Sequence, residues 1–408
     1  MLTTEQKKQF SEILEALGES LDISESQFDA AVRSYKAVGE WLAESDSPLS
    51  PYKPEIRPQG SFMLGTMIKP IHDKDDLDID LVCELFGKRP EWTQFNLKQI
   101  VGDRLKSNAL YKKLLDVEGR RCWTLVYSDT ANYHLDILPS IVSTGYSTIF
   151  EKAFSTNALS GDLDSLAIRI TDKTQNNYYT DTFLENWIKS NPFGYAKWFF
   201  NEASIDIRKT IMLSESVRPV PKFQKEKLPL QRVVQILKRH RDMMFNGDEH
   251  KPISIIITTL ASKAYKKETS IIDALVSISN NMGAYIEERY DWKLGKMIKW
   301  IPNPVNPEEN FADKWPEHPQ RERNFYKWLD QVKIDIQNIT QQQGLHLICE
   351  SMKRPFGEQP VTRAFSVLAD NSLNLRQTGN LKMSAGTGIL GSLGTIITKS
   401  HNFHGKDK

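Results

Sequence analysis

Arg57-Pro58-Gln59-Gly60-Ser61-Phe62-Met63-Leu64-Gly65-Thr66 and, a short way on, Asp75-Asp76-Leu77-Asp78-Ile79-Asp80-Leu81-Val82-Cys83 decide how this chain reads. The Gly-Ser pair predicts a turn that opens a short helix. His72-Asp73-Lys74-Asp75 predicts a charged turn, and the aspartates after it lie in a predicted strand. Successive side chains of a strand point to opposite faces. Asp76, Asp78 and Asp80 therefore share one face, and Leu77, Ile79 and Leu81 the other. Carboxylates this close raise one another's pKa unless a cation neutralises them, and a hard cation with oxygen ligands is the natural partner. Amides at a helix start bind phosphate oxygens, and glycine lets that backbone come close to a ligand. A phosphate cradle beside a divalent-metal site points to phosphoryl or nucleotidyl transfer. An acidic loop is the plain explanation of an isolated Asp-x-Asp; the Gly-Ser turn ahead of it favours chemistry.

The totals set bounds. With 408 residues, 39% hydrophobic and 26% charged, the chain has room for two domains and the composition of an ordinary soluble protein. No apolar run approaches the roughly 18 residues that span a bilayer. The N-terminus lacks the apolar core of a secretory signal, so a cytoplasmic location and no membrane partner are expected. Cys83, Cys122 and Cys349 are scattered, which suggests neither a disulfide framework nor a zinc site. A net charge of +1 argues against stable nucleic-acid binding. Locally, Arg218 to Lys267 is basic and Asp73 to Glu84 acidic, a division that suits a small anionic substrate bridged by metal.

Along the chain, residues 3–20 and 25–45 read as helices, the second with Phe28, Val32, Tyr35, Val38 and Leu42 at helical spacing and Ser24 or Ser26 as its cap. Phe95 to Leu115 reads as one helix, Arg121–Tyr127 as a strand, and Tyr133–Pro139 as a strand ended by its proline. Asp136 sits between apolar neighbours, where a carboxylate is costly unless paired or metal-bound; a salt bridge or a strand-end turn is the plain alternative. The aromatic run within Tyr178–Phe200 reads as packing. Leu230, Val233, Val234 and Leu237 form a helical stripe, and Lys238, Arg239 and Arg241 beyond it are expected in solvent. Ser254 reads as the cap of an apolar helix. The prolines at 302, 304 and 307 exclude a helix interior, and the Gly, Ser and Thr of 376–399 read as a flexible tail.

Gly60-Ser61 followed by Asp78-Ile79-Asp80 resembles the signature of the polymerase-β-like nucleotidyltransferases. From about Arg57 to Gly405 the wording is similar to the CD-NTases, the bacterial relatives of cyclic GMP-AMP synthase and dinucleotide cyclase in anti-phage (CBASS) signalling. The resemblance implies an α+β fold: a nucleotidyltransferase core with a mixed sheet and N-terminal helices (1–220), a helical domain like that of oligoadenylate synthases (221–375), a tail (376–408), and an active site in the cleft between the domains. It implies two Mg²⁺ ions, replaceable by Mn²⁺, on Asp78, Asp80 and Asp136. Gln59, Gly60, Ser61, Lys238, Ser254 and Asn306 become nucleotide-binding residues, with nucleoside triphosphates, ATP among them, as substrates. Ser400-His401-Asn402-Phe403-His404-Gly405 resembles the end of the chain that accessory proteins engage in some of these systems, although Lys406-Asp407-Lys408 follow the glycine. Asp76-Leu77-Asp78 fits the Asp-x-Asp pattern as well as Asp78-Ile79-Asp80 does. The second is preferred because apolar Leu81-Val82-Cys83 continues its strand. A linear-tailing or AMP-transferring nucleotidyltransferase, and a catalytically inactive nucleic-acid-binding relative, are the alternatives.

Overall fold

A computed structural model describes residues 2–72, 76–127, 132–143, 145–155, 163–205, 223–392 and 394–398. The chain divides into two compact units, one of Ile23–Gln231 with Glu288–Asp313, the other of Met1–Asp22, Arg232–Glu287 and Lys314–Lys408. The first holds a mixed sheet and the second is mainly helical, so the fold is α+β.

The sheet is built on two ten-residue strands, β2 (Leu77–Phe86) and β4 (Tyr133–Val142), which pair in parallel from Leu77↔Tyr133 to Phe86↔Val142. β1 (Glu55–Pro58) lies antiparallel on β2. On the far side of β4, β3 (Trp123–Val126) pairs with its first half and β5 (Ile168–Ile170) with its second, and β6 (Ile188–Ser190) follows β5. Leu81, Val82, Cys83 and Leu85 are wholly buried, as expected of strands covered on both faces. One face of the sheet contributes Ile79, Leu81, Leu135 and Ile137 to a core shared with Tyr35 and Val38 of α2 (Glu25–Ala43) and Leu97 and Val101 of α4 (Gln94–Lys106). The spacing of α2 buries the apolar positions expected of it, and Ser24 caps the helix in a reciprocal pair with Gln27. Gly102 of α4 is required by its neighbour: a Cβ there would lie 2.2 Å from the ring of Trp123.

Two expectations need correction. Phe95–Leu115 is two helices, because Ser107 donates its hydroxyl to Arg104 O and Asn108 then caps α5 (Ala109–Leu114) by accepting from the amides of Leu110 and Tyr111. Pro139 does not end its strand. It falls between the β3 ladder, which stops at Ile137, and the β5 ladder, which starts at Ser140, so its missing N–H costs no pairing on that edge.

The aromatic run does pack: α7 (Pro192–Ala203) buries Phe193, Phe199 and Phe200, and Gly194 lies so close to Asn191 that the Asn side chain caps the helix through the Gly194 amide. The prolines of 301–312 lie in a small hairpin, Pro302–Asn303 with Asn306–Asn310, tied by Asn310 Oδ1, which accepts from the amides of Ile301 and Ala312.

In the helical unit α1 (Thr4–Leu21) packs on the helices Ile271–Asn281 and Glu358–Gln377. Arg232 of the helix Pro229–Phe245 runs against Gly18 and is held by Glu15 at 2.8 Å and Asp22 at 2.7 Å. Leu230, Val233, Val234 and Leu237 are buried as expected. Lys238, Arg239 and Arg241 are buried too, which corrects the solvated reading: at 4%, 3% and 6% exposure these cations belong to the interior. Within the tail, Lys382–Met383 is the centre of a three-stranded sheet with Leu390–Gly391 and Ile396–Ile397. Residues 399–408 lie outside the described residues.

One buried ion pair joins β1 to β2. Arg57 Nε donates to Glu84 at 2.9 Å, and the guanidinium lies 4.3 Å from the centre of the Phe150 ring. The second oxygen of Glu84, Oε1, has no hydrogen-bond partner among the described residues. Burial outweighs the nearby Arg57 and pushes the Glu84 carboxyl up to about 7. The folded state thus holds the Glu84 proton more tightly than the unfolded chain, where a Glu titrates at about 4.3. Stability contributed by the neutral form is full below that value and is lost as pH rises through 7. Urea unfolding of Glu84→Gln from pH 4.5 to 8 should lack this decline, a difference on the order of 3 kcal/mol over the range. An identical pH profile in variant and parent would show that Glu84 stays ionised throughout.

Candidate active site

The parallel register sets the site. Asp80 is paired with Asp136, and Asp78 with His134, so all four side chains stand on the sheet face opposite Ile79, Leu81, Leu135 and Ile137. Neighbouring strands lie about 4.8 Å apart and alternate residues about 6.6 Å apart, so Asp80 and Asp136 share a rung with Asp78 one step along. The side chain of Asp78 is 78% exposed. Asp76 precedes the strand; its carboxylate lies 2.7 Å from His134 Nε2, while His134 Nδ1 lies 3.7 Å from Asp78. The rung of Asp136 is therefore that of Asp80 and not of Asp76.

The Gly-Ser turn arrives from the other strand. Gln59 N donates to Asp80 O at 2.8 Å, which fixes the end of β1 beside the carboxylates. Gly60 then opens the four-residue helix α3 (Gly60–Met63) at φ +60, a left-handed conformation that favours glycine. A Cβ on Gly60 would lie 2.6 Å from Asp80 Oδ2, so backbone and carboxylate are in close contact there. Ser61 O accepts from Thr66 N, closing the turn behind the helix.

The donor chemistry fits divalent cations: carboxylates from two adjacent strands, with glycine backbone against one of them. As the side chains stand, no three Asp, Glu, His or Cys groups among the described residues converge on a point that could hold a metal ion. Asp136 instead accepts from the Thr124 hydroxyl at 2.5 Å, and Asp78 leans toward His134. Cys122, one step beyond Thr124, lies in the field of the same group: burial, then the charge of Asp136 and more weakly that of Asp80, pushes its thiol up.

The expected residues divide between the units. Asp78, Asp80, Asp136, Gln59, Gly60, Ser61 and Asn306 lie in the sheet unit, and Lys238 and Ser254 in the helical unit. Asn306 opens a strand of the Pro-rich hairpin, paired with Asn303. Ser254 is the first residue of the helix Ser254–Ala264 rather than its cap, which is Ile253; its hydroxyl accepts from Arg241 at 2.9 Å. Sequence reasoning passed over His134 and Thr124. The signal for His134 was present, since it stands two residues before Asp136 on the same strand face. Thr124 needed knowledge of which strands are neighbours.

Residues 54–139 match the family described as cyclic GMP-AMP synthase DncV-like, nucleotidyltransferase domain. The chain is 28% identical over 405 residues to a c-di-GMP synthase of Roseivirga ehrenbergii, covering 98% of this chain and 96% of that protein. It is 23% identical to the cyclic dinucleotide synthase CdnG of Bradyrhizobium diazoefficiens, covering 92% and 90%. The structure of that CdnG in complex with GTP superposes with a TM-score of 0.63 at 18% identity over 88% of this chain and 99% of the other. Vibrio cholerae DncV, a cyclic AMP-GMP synthase solved with a linear intermediate, gives 0.51 at 15% identity over 90% and 93%. These superpositions establish the shared fold.

Gly60→Ala tests the contact directly. The added methyl meets Asp80 Oδ2 in a backbone conformation that costs a non-glycine residue about 1–2 kcal/mol. Displacement of the carboxylate by an ångström should lower nucleotide turnover by roughly 100-fold, with a modest fall in melting temperature. Parental turnover in a folded Gly60→Ala protein would separate the turn from the site.

Proposed function

We propose that this chain, a member of the CD-NTase family, is a template-independent nucleotidyltransferase that joins nucleoside triphosphates and closes the product into a cyclic di- or oligonucleotide messenger of anti-phage defence. The observation that carries the reading is the rung shared by Asp80 and Asp136, with the Gly60 backbone against Asp80. Similarity to proteins named as cyclic dinucleotide synthases along nearly the whole chain supports a cyclic product over a linear one. The GTP-bound relative of like fold supports a triphosphate substrate.

Asp78, Asp80 and Asp136 would hold two Mg²⁺ ions, or Mn²⁺ in their place. When bound, these supply activation of the attacking ribose hydroxyl and neutralisation of the leaving pyrophosphate. The protein's own part is placement. Gln59, Gly60 and Ser61 bring backbone and hydroxyl to the triphosphate at the end of β1. Thr124 and His134 orient Asp136 and Asp78 through the contacts described above. Lys238, Ser254 and Asn306 are the further nucleotide-binding residues of this proposal. Among the described residues no helix is long and apolar enough to cross a membrane.

Incubation with labelled triphosphates and Mg²⁺, followed by phosphatase, should leave a resistant product, because a cyclic nucleotide keeps its phosphates internal. Complete release of the label as inorganic phosphate would show that no phosphodiester forms and overturn the reading, and label retained on protein or RNA would favour a tailing or AMP-transferring enzyme. In the same assay Asp80→Asn should make no product while melting as the parent does. Full activity in Asp80→Asn would move the metal pair to Asp76 and Asp78.

A further inference from the structure

The two-stranded sheet of Glu287–Asp291 and Lys296–Trp300 stands apart from the main sheet. One of its faces is covered. Ile298 is buried, and Arg289 lies over the Trp300 ring at 4.7 Å, with Arg289 Nη1 and Trp300 Nε1 both donating to Pro307 O of the Pro-rich hairpin. Strand alternation puts Tyr290 and Met297 on the other face, beside the Glu288–Lys299 ion pair at 2.5 Å. The connection between the strands is a tied turn. Asp291 Oδ1 accepts from the amides of Lys293 at 2.7 Å and Leu294 at 3.0 Å, and Gly295, at φ +63, donates its amide to Asp291 O.

This turn presents apolar and basic groups together. Trp292 is 88% exposed and meets the Tyr290 ring edge-on at 4.8 Å, while Tyr290, Leu294 and Met297 are each about half exposed. Lys293 and Lys296 alternate with them, exposed, and form no ion pair among the described residues. The bonds of the turn are made by backbone amides and Asp291, so polar residues at 292, 294 and 297 would serve it as well. Four large apolar groups gathered on one exposed tip mark a binding surface.

Shape and charge select the occupant. A tip of this size does not cover the roughly 800 Å² per partner of a stable protein interface, and two copies tip to tip would bring lysine against lysine. Single-stranded nucleic acid is held by flat rings and a groove of cations, whereas half of the apolar groups here are aliphatic and the cations are two lysines. A bilayer surface takes a narrow tip by insertion. Tryptophan and tyrosine settle at headgroup level, aliphatic groups go below them, and lysines reach the lipid phosphates.

We propose that the tip at 290–297 docks on an anionic lipid surface, with Trp292, Leu294 and Met297 inserted and Lys293 and Lys296 on the headgroups. Peripheral docking of this kind needs no spanning helix, so the lack of long apolar runs does not exclude it. It does not depend on the nucleotidyl-transfer reading.

The test is flotation of the full chain with vesicles of phosphatidylcholine and phosphatidylglycerol, and with phosphatidylcholine alone. The parent should bind the mixed vesicles, come off them as salt is raised, and bind the neutral ones far less. Trp292→Ser/Leu294→Ser, melting as the parent does, should bind the mixed vesicles at least about tenfold more weakly. Lys293→Glu/Lys296→Glu should lose the preference for the anionic lipid. A parent that does not float with the mixed vesicles, or variants that float as it does, would overturn the docking. Capture of a single-stranded RNA oligomer by the parent and not by Trp292→Ser/Leu294→Ser, without vesicle binding, would overturn the lipid in favour of nucleic acid. A parent dimer that the same variant makes monomeric, again without vesicle binding, would overturn it in favour of a second copy.

Discussion

The parallel ladder between Leu77–Phe86 and Tyr133–Val142 is the constraint on which the rest depends. A slip of one residue would turn every side chain of one strand to the other face. It would place Leu135 or Ile137 among the aspartates and Asp136 in the core. Each aliphatic side chain so exposed forfeits about 1.5–3 kcal/mol, and Ile79, Leu81, Leu135 and Ile137 are all at or near complete burial. Repulsion between two carboxylates 4 Å apart near a surface is about 4 kcal/mol at most in that setting, and about 1 kcal/mol in water. The apolar face therefore wins, and it holds the acidic face in a register that the acids alone would not choose.

The same ladder explains why the turn at Gly60 is where it is. β1 pairs with β2 through Arg57↔Val82 and Pro58↔Leu81, and the Gln59–Asp80 backbone bond continues that pairing by one step. The chain must then leave the sheet immediately beside the Asp80 carboxylate. A residue without a Cβ makes the exit there without displacing that carboxylate. The Arg57–Glu84 pair, buried further along the same strands, ties β1 to β2. The geometry of the turn thus follows from strand pairing, and the glycine follows from the geometry.

Much of this was legible in the chain, because strand alternation and helical stripes are local. Asp78 and Asp80 on one face, Phe28 to Leu42 as a buried stripe, and Leu230 to Leu237 as another could all be read from spacing. What could not be read depends on partners far away in sequence. Arg241 looks like a solvated cation until Ser254 and Pro252 O are found at its guanidinium. Asp172 looks like a loop aspartate until two arginines some fifty residues earlier are seen on it. Pro139 looks like a strand end, because the sequence does not reveal that two different partners leave a gap opposite it. Ser107-Asn108 was readable as a break in a helix, and was hidden by the good helix formers on either side.

The aspartates are not left to repel one another. Asp76 lies on His134, Asp136 on the Thr124 hydroxyl, and the main chain of Asp80 on Gln59. Each of these contacts holds one acidic residue in place as the strand face forms. The same contacts are weak compared with a carboxylate–cation bond, since a hydrogen bond to a charged group contributes about 1.5–3 kcal/mol net. His134 and Thr124 therefore hold these carboxylates from side chains that stand on the same ladder. A site preorganised in its backbone and adjustable in its carboxylates is what chemistry requires when ligands must bind, react and leave on the same face.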